Sequence, residues 1–499
     1  MTELKDASLE LIGNFVESSP HLQDLSLSPE HERYLCRLQW RRRRASEKEG
    51  LMKTTRWRWR GGIAAIAALA TVSVGAAAHA EEAPILNQYG DLFTRSQLTG
   101  DWGGARKDLA DKGVTFDGTL TQIEQGVVSG GKSGVWEYGG RGDLTGHLDT
   151  QKLGLWPGGF LTAELEGNWA NSVNGRTGSL SPVNTNQLFP LPTGDNVALP
   201  DLSYAQFLSH YVGVAAGKFQ TITNGDDNEF AHGKGDTQFF NSAFNINPVT
   251  LFVPYSTLGA GVIALPTADP KQAVVSFLVI SAKGKASTTG FDDLEGAIFA
   301  GSGRVRTDFF GLTGHQLVGG LYSNKSYTSL DQRLGFVIQN QALAKHDDTW
   351  AVYYNFDQFV YQPKKDVDQG VGLFGRFGAG KGDPIPSQYF YSAGVGGKGL
   401  LPGRSLDQCG IGYYYSSNNN LTFQRPRVTN SFLRDEWGLE AYYNLALTPW
   451  LLITPDIQVI GPTQKQQITV SQGPLGGPRI DKQFIGDAVV LGFRGQLIF

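Results

Sequence analysis

From Val114 onward, apolar and polar positions alternate along this chain with a period of two. Thr115, Asp117, Thr119 and Thr121 interleave with Val114, Phe116, Gly118 and Leu120, and Asp143, Thr145, His147 and Asp149 with Leu144, Gly146 and Leu148. Thr162, Glu164, Glu166 and Asn168 alternate in the same way with Leu161, Ala163 and Leu165. In the stretch from Glu436 to Leu445, Trp437, Leu439, Ala441, Tyr443 and Leu445 form one row and Glu436, Glu440, Tyr442 and Asn444 the other; Thr454, Asp456 and Gln458 mark the polar face of the next stretch. Successive strand side chains point to opposite faces, so each stretch predicts an antiparallel strand with one apolar and one polar face. The chain ends on Gly486 to Phe499, where Val489, Leu491, Phe493, Gly495, Leu497 and Phe499 are apolar and Gly492, Arg494 and Gln496 lie between them. A terminal strand that is greasy on one face and ends on an aromatic ring fits the closing strand of a transmembrane barrel, with lipid outside and a wetter lumen inside. A soluble sandwich with its polar rows in bulk water would alternate identically, so the choice rests on features elsewhere.

The first of these features is an export signal. Met52 to Arg60 is a short cationic start, Gly61 to Ala78 an uncharged apolar run, and Ala78-His79-Ala80 a small-residue cleavage site. This order predicts a cleaved signal peptide over 52–80 and a mature chain from Glu81. Residues 1–51, with Arg41 to Arg44 in a row and no apolar period, read as an extra segment ahead of the true translation start; a cytoplasmic tail before a signal anchor is the other reading. The mature chain opens with 81–113, where Ala105 to Lys112 predicts two helical turns, started by Asp101 or a neighbouring glycine and stopped by Gly113. The alternating part is 114–499.

Composition narrows the class further. Of 43 basic and 47 acidic residues, 12 and 9 precede Glu81, leaving 31 and 38 and a net charge of −7, which gives no support for nucleic-acid binding. Cys36 falls in the removed part, so Cys409 has no internal disulfide partner. The 64 glycines and 11% aromatic residues suit a β protein with many turns. No mature segment is apolar enough for a spanning helix, and a bilayer accepts only helices or closed barrels because every backbone N–H and C=O must be paired. The fold class is therefore all-β: a transmembrane antiparallel barrel with a short N-terminal helix. At roughly 9–11 residues per tilted strand, the mature chain holds about 16 strands, possibly 18, enough to surround an aqueous pore.

Leu98-Thr-Gly-Asp-Trp-Gly-Gly-Ala-Arg106, continued by Leu109 and Lys112-Gly113, resembles the opening motif of the carbohydrate-selective porin (OprB-like) family. The stretches Asp366–Phe377, Gly410–Ser416, Glu436–Leu445 with Thr448-Pro-Trp450, and the terminal strand are similar to the same family. The resemblance implies a 16-stranded barrel in the outer membrane of a Gram-negative bacterium that passes sugars passively, with the opening helix near the periplasmic end. It further implies insertion by the barrel assembly machinery and a monomer or homotrimer. Asn171 to Asp201 and Asn224 to Pro248 depart from the family pattern and read as loops, which places the difference in specificity.

Other chemistry finds little foothold. Gly394-Val-Gly-Gly-Lys-Gly399 matches GxGxxG, but Leu400-Leu-Pro-Gly-Arg404 does not continue as a helix. Histidines are scattered singly, no GxSxG occurs, and neither metal nor cofactor is expected. Asp226-Asp-Asn-Glu229 reads as a solvated turn in preference to a Ca²⁺ site. The candidate constriction residues are Arg106, by carry-over from the opening motif, Glu164 and Glu166 on a lumen row, and Trp169, which is either a sugar platform or an interfacial ring. A general diffusion porin and a barrel enzyme are the alternative functions. The alternation also predicts that a charge is tolerated at lumen-facing Tyr442 and costly at lipid-facing Leu439.

Overall fold

A computed structural model describes residues 90–188, 197–222, 228–291, 294–333, 342–364, 367–420, 422–424, 428–429, 432–472 and 478–499. The extra segment 1–51, the signal peptide 52–80, the mature start at Glu81, and Asp226 and Asp227 of the acidic turn lie outside the described residues.

Sixteen of the strands join into one closed antiparallel barrel, all of them within the compact unit that contains 80–469 and 480–499. They are β1 (Val114–Gly131), β2 (Val135–Asp149), β3 (Gly159–Ala170), β4 (Val197–Phe207), β5 (Val212–Gln220), β6 (Ser256–Ala264), β7 (Ala273–Ser281) and β8 (Ala297–Thr307) in the first half. The second half is β9 (Gly314–Ser323), β10 (Thr349–Tyr361), β11 (Gly370–Gly380), β12 (Ser387–Lys398), β13 (Gln408–Asn418), β14 (Glu436–Thr448), β15 (Leu451–Gly461) and β16 (Gly486–Ile498). β1 and β16 pair to close the ring, with Thr119 opposite Ile498 and Gly126 opposite Leu491. Closure leaves no unpaired strand edge, which is what hydrocarbon demands.

At the rim that carries the chain end the connections are short, such as 208–211, 308–313 and 449–450. At the other rim they include 171–196, 221–255, 324–348 and 462–485. The predicted helix is present as α1 (Ala105–Asp111), capped at its start by Gly104 and followed by Gly113 at φ 88°, a left-handed position that favours glycine.

Which face each strand turns outward is as the alternation predicts. Leu165, Leu439 and Phe493 are 46%, 41% and 50% exposed on the outer wall, while Glu166, Glu440 and Arg494 are each 1% exposed on the inner one. No described helix is long and apolar enough to cross a membrane.

The expectation of a wet lumen along every polar row needs correction. The described parts of two long-rim loops, 171–188 and 228–255, fold inward and cover much of the inner face. Loop 171–196 is held by Gln125 of β1, whose Nε2 donates to Val183 O at 3.3 Å, and by Gln458 of β15, which donates to the same oxygen at 2.9 Å. Loop 221–255 reaches further. The backbone N–H groups of Phe240 and Asn241 donate to the Glu440 carboxylate at 2.5 and 3.0 Å, and Arg376 of β11 donates to Phe244 O at 2.7 Å. The two loops also bond to each other, Thr185 N to Phe240 O and Ser242 N to Pro182 O, both at 2.8 Å.

Loop aromatics fill the second half of the barrel. Phe239 lies 4.4 Å from Phe244 and 4.7 Å from Tyr442, ring centre to ring centre. Glycines on the inner face make room for them: a Cβ on Gly412 would come within 2.5 Å of the Phe244 ring, and one on Gly396 within 2.5 Å of the Phe230 ring. Gly394-Val-Gly-Gly-Lys-Gly399 is thus a strand that turns glycines toward rings, and not a phosphate cradle. Tyr442, expected to tolerate a charge, is 5% exposed beneath Phe239. Alternation identifies the face a residue is on; it carries no information about what a distant loop lays over that face.

Candidate functional site

The inner row of β3 carries Glu164 and Glu166, and the register sets Glu166 opposite Asp143 and Glu164 opposite Thr145 on β2. Arg141 lies two residues before Asp143 on the same row, opposite Asn168. Four inward side chains from two neighbouring strands are therefore gathered by pairing alone.

Loop 221–255 completes the group. The Lys234 ammonium donates to Glu166, to Glu164 Oε1 at 2.5 Å and more distantly to Asp143 Oδ1 at 3.4 Å. Arg141 donates from Nε to Asp143 Oδ2 at 3.0 Å, from Nη2 to Asp236 Oδ1 at 2.7 Å and from Nη1 to Asn186 O at 3.1 Å. One guanidinium thereby joins the wall to both inserted loops. The Tyr255 hydroxyl, at the end of loop 221–255, donates to Glu166 Oε1 at 2.5 Å. Two cations face four carboxylates here, Asp143, Glu164, Glu166 and Asp236, with Arg141 and Glu166 each 1% exposed and Lys234 7% exposed.

Burial alone would pull the Lys234 ammonium down, but Glu166, with Asp143 and Glu164, outweighs it and holds the group above the ordinary lysine range. Burial, then Glu166, hold the Tyr255 phenol well above its ordinary value, so it remains a donor. Asp143, Glu164 and Glu166 offer oxygens within 4.8 Å of one another, a spacing that fits a metal ion. The Lys234 ammonium donates to all three, so the charge a metal would supply comes from the chain itself.

Below this cluster, toward the short-turn rim, the inner rows stay open. His147, Asp117 and Thr115 are exposed, and Thr119, Thr145 and Thr162 are half-buried. On β1, β2 and β3 these inner rows are thus left uncovered by the packed loops.

A family profile described as carbohydrate-selective porin, OprB family, matches residues 136–499. The chain belongs to this family. Among solved structures it is similar to the high-pH structure of OprB from Pseudomonas putida, with TM-score 0.65 and 20% identity over 81% of this chain and 98% of that one. The low-pH structure of the same protein gives 0.48 and 18% over the same shares, and the loop-deleted OmpT of Vibrio cholerae 0.42 and 10% over 77% and 99%. No curated protein matches the chain in sequence. The P. putida likeness fits the barrel, and family membership makes the chain an outer-membrane porin for sugars. Outer-membrane barrels have short periplasmic turns and longer extracellular loops, so the rim bearing the chain end is the periplasmic one.

Of the four residues singled out from sequence, the structure brings together Glu164 and Glu166. Arg106 is elsewhere: from α1 its Nη2 donates to Phe116 O at 2.5 Å and Phe499 O at 3.1 Å, and its guanidinium lies 5.2 Å from the Trp102 ring. It ties the N-terminal segment to the barrel seam. Trp169 shares the outer row with Leu165, and a Cβ on Gly140 would touch its ring at 2.4 Å, which places it away from the lumen-facing cluster. Sequence reasoning placed Asp143 on a polar row without assigning it to the site, and missed Arg141, Lys234, Asp236 and Tyr255. Arg141 was within reach, two positions along the polar row from Asp143; the other three sit on a loop without periodicity.

Proposed function

We propose that sugars cross this porin passively, down their gradient, and that the cluster of Arg141, Asp143, Glu164, Glu166 and Lys234 is the constriction they meet. The observation that carries this reading is the Lys234 bridge, which binds a loop from within the lumen to two carboxylates on the opposing wall. The half-buried Asp143, Glu164 and Asp236 offer acceptors to hydroxyl groups, and the buried Arg141 and Lys234 behind them balance their charge, so the opposed fields favour neither cations nor anions. A neutral polyhydroxylated solute gains the most from such a site. The carboxylates are already engaged by Lys234, Arg141 and Tyr255, an arrangement suited to transport without a chemical step.

The same proposal covers the protein's route. Cleavage after Ala80 releases a mature chain from Glu81, the assembly machinery inserts it through its terminal strand, and the barrel works as a monomer or homotrimer. The test of the constriction is sugar block of ion current in planar bilayers for the wild type, Glu166→Gln and Lys234→Met. Sugars block the wild type and block both variants less. Equal block in all three would displace the site while leaving the porin, and absence of block in the wild type would replace the selective reading by a general diffusion pore.

A further inference from the structure

One ring is on the wrong side of the wall. Exposed aromatic side chains on the barrel strands, such as Trp350, Tyr354, Phe377, Tyr391 and Phe493, lie on outer rows, where lipid covers them. Phe160 does not. It follows the parity of Glu166, Glu164 and Thr162 on β3, opposite Asp149 of β2 and Ala205 of β4, so its ring is on an inner row. It is 43% exposed, and among the described strand residues no other inner-row aromatic is comparably open.

We infer that Phe160 is a stacking platform for a pyranose ring at the periplasmic exit of the lumen, a second sugar subsite beyond the charged one. Three features of its surroundings support this. Phe207, at the end of β4, meets it edge-on at 6.1 Å and 81° and holds the ring from one side. Hydrogen-bonding groups border it: His147 and Thr162 lie one step toward the constriction, paired through Nδ1 and Oγ1 at 3.1 Å, and Ser203 faces Thr162 across the strand pair. Spacing also fits a relay, since Phe160 is four residues from Glu164, about 13 Å at 3.3 Å per residue. A sugar that leaves the carboxylates with its hydroxyls reaches the ring next.

The chemistry divides naturally between the two places. At the constriction, charged groups replace water on the hydroxyls; at Phe160 the electron-rich ring face meets the weakly positive C–H face of the pyranose, with His147, Thr162 and Ser203 at its edge. A small ion has no C–H face and gains nothing there. The subsite therefore adds selectivity that the charged cluster does not supply.

This inference rests on the reading of the lumen as the sugar path, and the experiment separates the two. Sugar block of single-channel current is measured with sugar added from the periplasmic or the extracellular side, for the wild type, Phe160→Ala, Phe160→Leu and Phe160→Tyr. Heat-resistant migration confirms that each is folded. Phe160→Ala and Phe160→Leu weaken block from the periplasmic side by about two- to tenfold, with ion conductance in the absence of sugar unchanged, while Phe160→Tyr keeps wild-type block. The failure of Leu separates stacking from mere apolar bulk. If Ala or Leu is blocked as strongly as the wild type from both sides, the platform is overturned and the constriction stands. A wild type that no sugar blocks from either side overturns both.

Discussion

Lys234 ties loop 221–255 to the β2–β3 wall, and removing either member of a buried ion pair leaves an uncompensated charge at a cost of about 3–5 kcal/mol. Lys234→Met should therefore release the loop from the β2–β3 wall, seen as a larger conductance together with weaker sugar block. Glu166→Gln keeps a hydrogen-bonding amide beside Tyr255 and should show the smaller change. The sign of the pH effect follows from the raised pKa. A lysine whose folded value lies above its unfolded one, about 10.4, contributes fully below that pH and loses its contribution only as pH rises through the folded value. Sugar block should accordingly stay constant from about pH 7 to about pH 9 and fall only in stronger alkali; a fall centred near neutrality would contradict the lysine tether. At this scale the sequence was half legible. Glu164 and Glu166 declare themselves through strand parity, but Lys234 is brought to them from 68 residues further along the chain by a loop with no period to read.

Elements behave differently on their two faces, and a pair of substitutions on β14 distinguishes them. Leu439→Lys places a charge in lipid and should cost roughly 2–4 kcal/mol if it lies near the midplane, lowering the yield of inserted barrel. Tyr442→Glu is also costly, for a different reason: it removes a ring packed on Phe239 and buries a charge beneath loop 221–255. That variant should insert yet conduct more, because the loop above it is loosened. Equal insertion defects in both, with no change in conductance, would count against the inserted loop. Strand faces were legible because a barrel wall enforces a two-residue period on every strand. The inward course of 171–188 and 228–255 was not, since glycines at Gly396 and Gly412 look like turn or bulge signals until the rings that fill them are known. The Gly394–Gly399 stretch matches GxGxxG for the same reason.

For the whole molecule, closure is the governing event. The seam between β1 and β16 is secured at the periplasmic rim by Phe499 N donating to Gly118 O at 2.8 Å, Leu98 N to Ile498 O at 2.7 Å, and Arg106 to Phe499 O. Deleting Phe499 should lower the amount of folded barrel while leaving the conductance of surviving channels intact; a normal folded yield would contradict that role. The barrel and its approximate size were legible from alternation and the absence of a spanning helix, because a bilayer permits so few solutions. The function needed the family, since an open pore and a selective one share the same wall. Selective sugar passage is accordingly the claim to test first, and liposome swelling tests it directly, by comparing a concentration series of pyranose sugars with uncharged solutes of equal size that lack a sugar ring. A sugar rate that is faster and saturates, against a slower rate that rises linearly for the others, is the predicted result; equal, linear rates for both would contradict it.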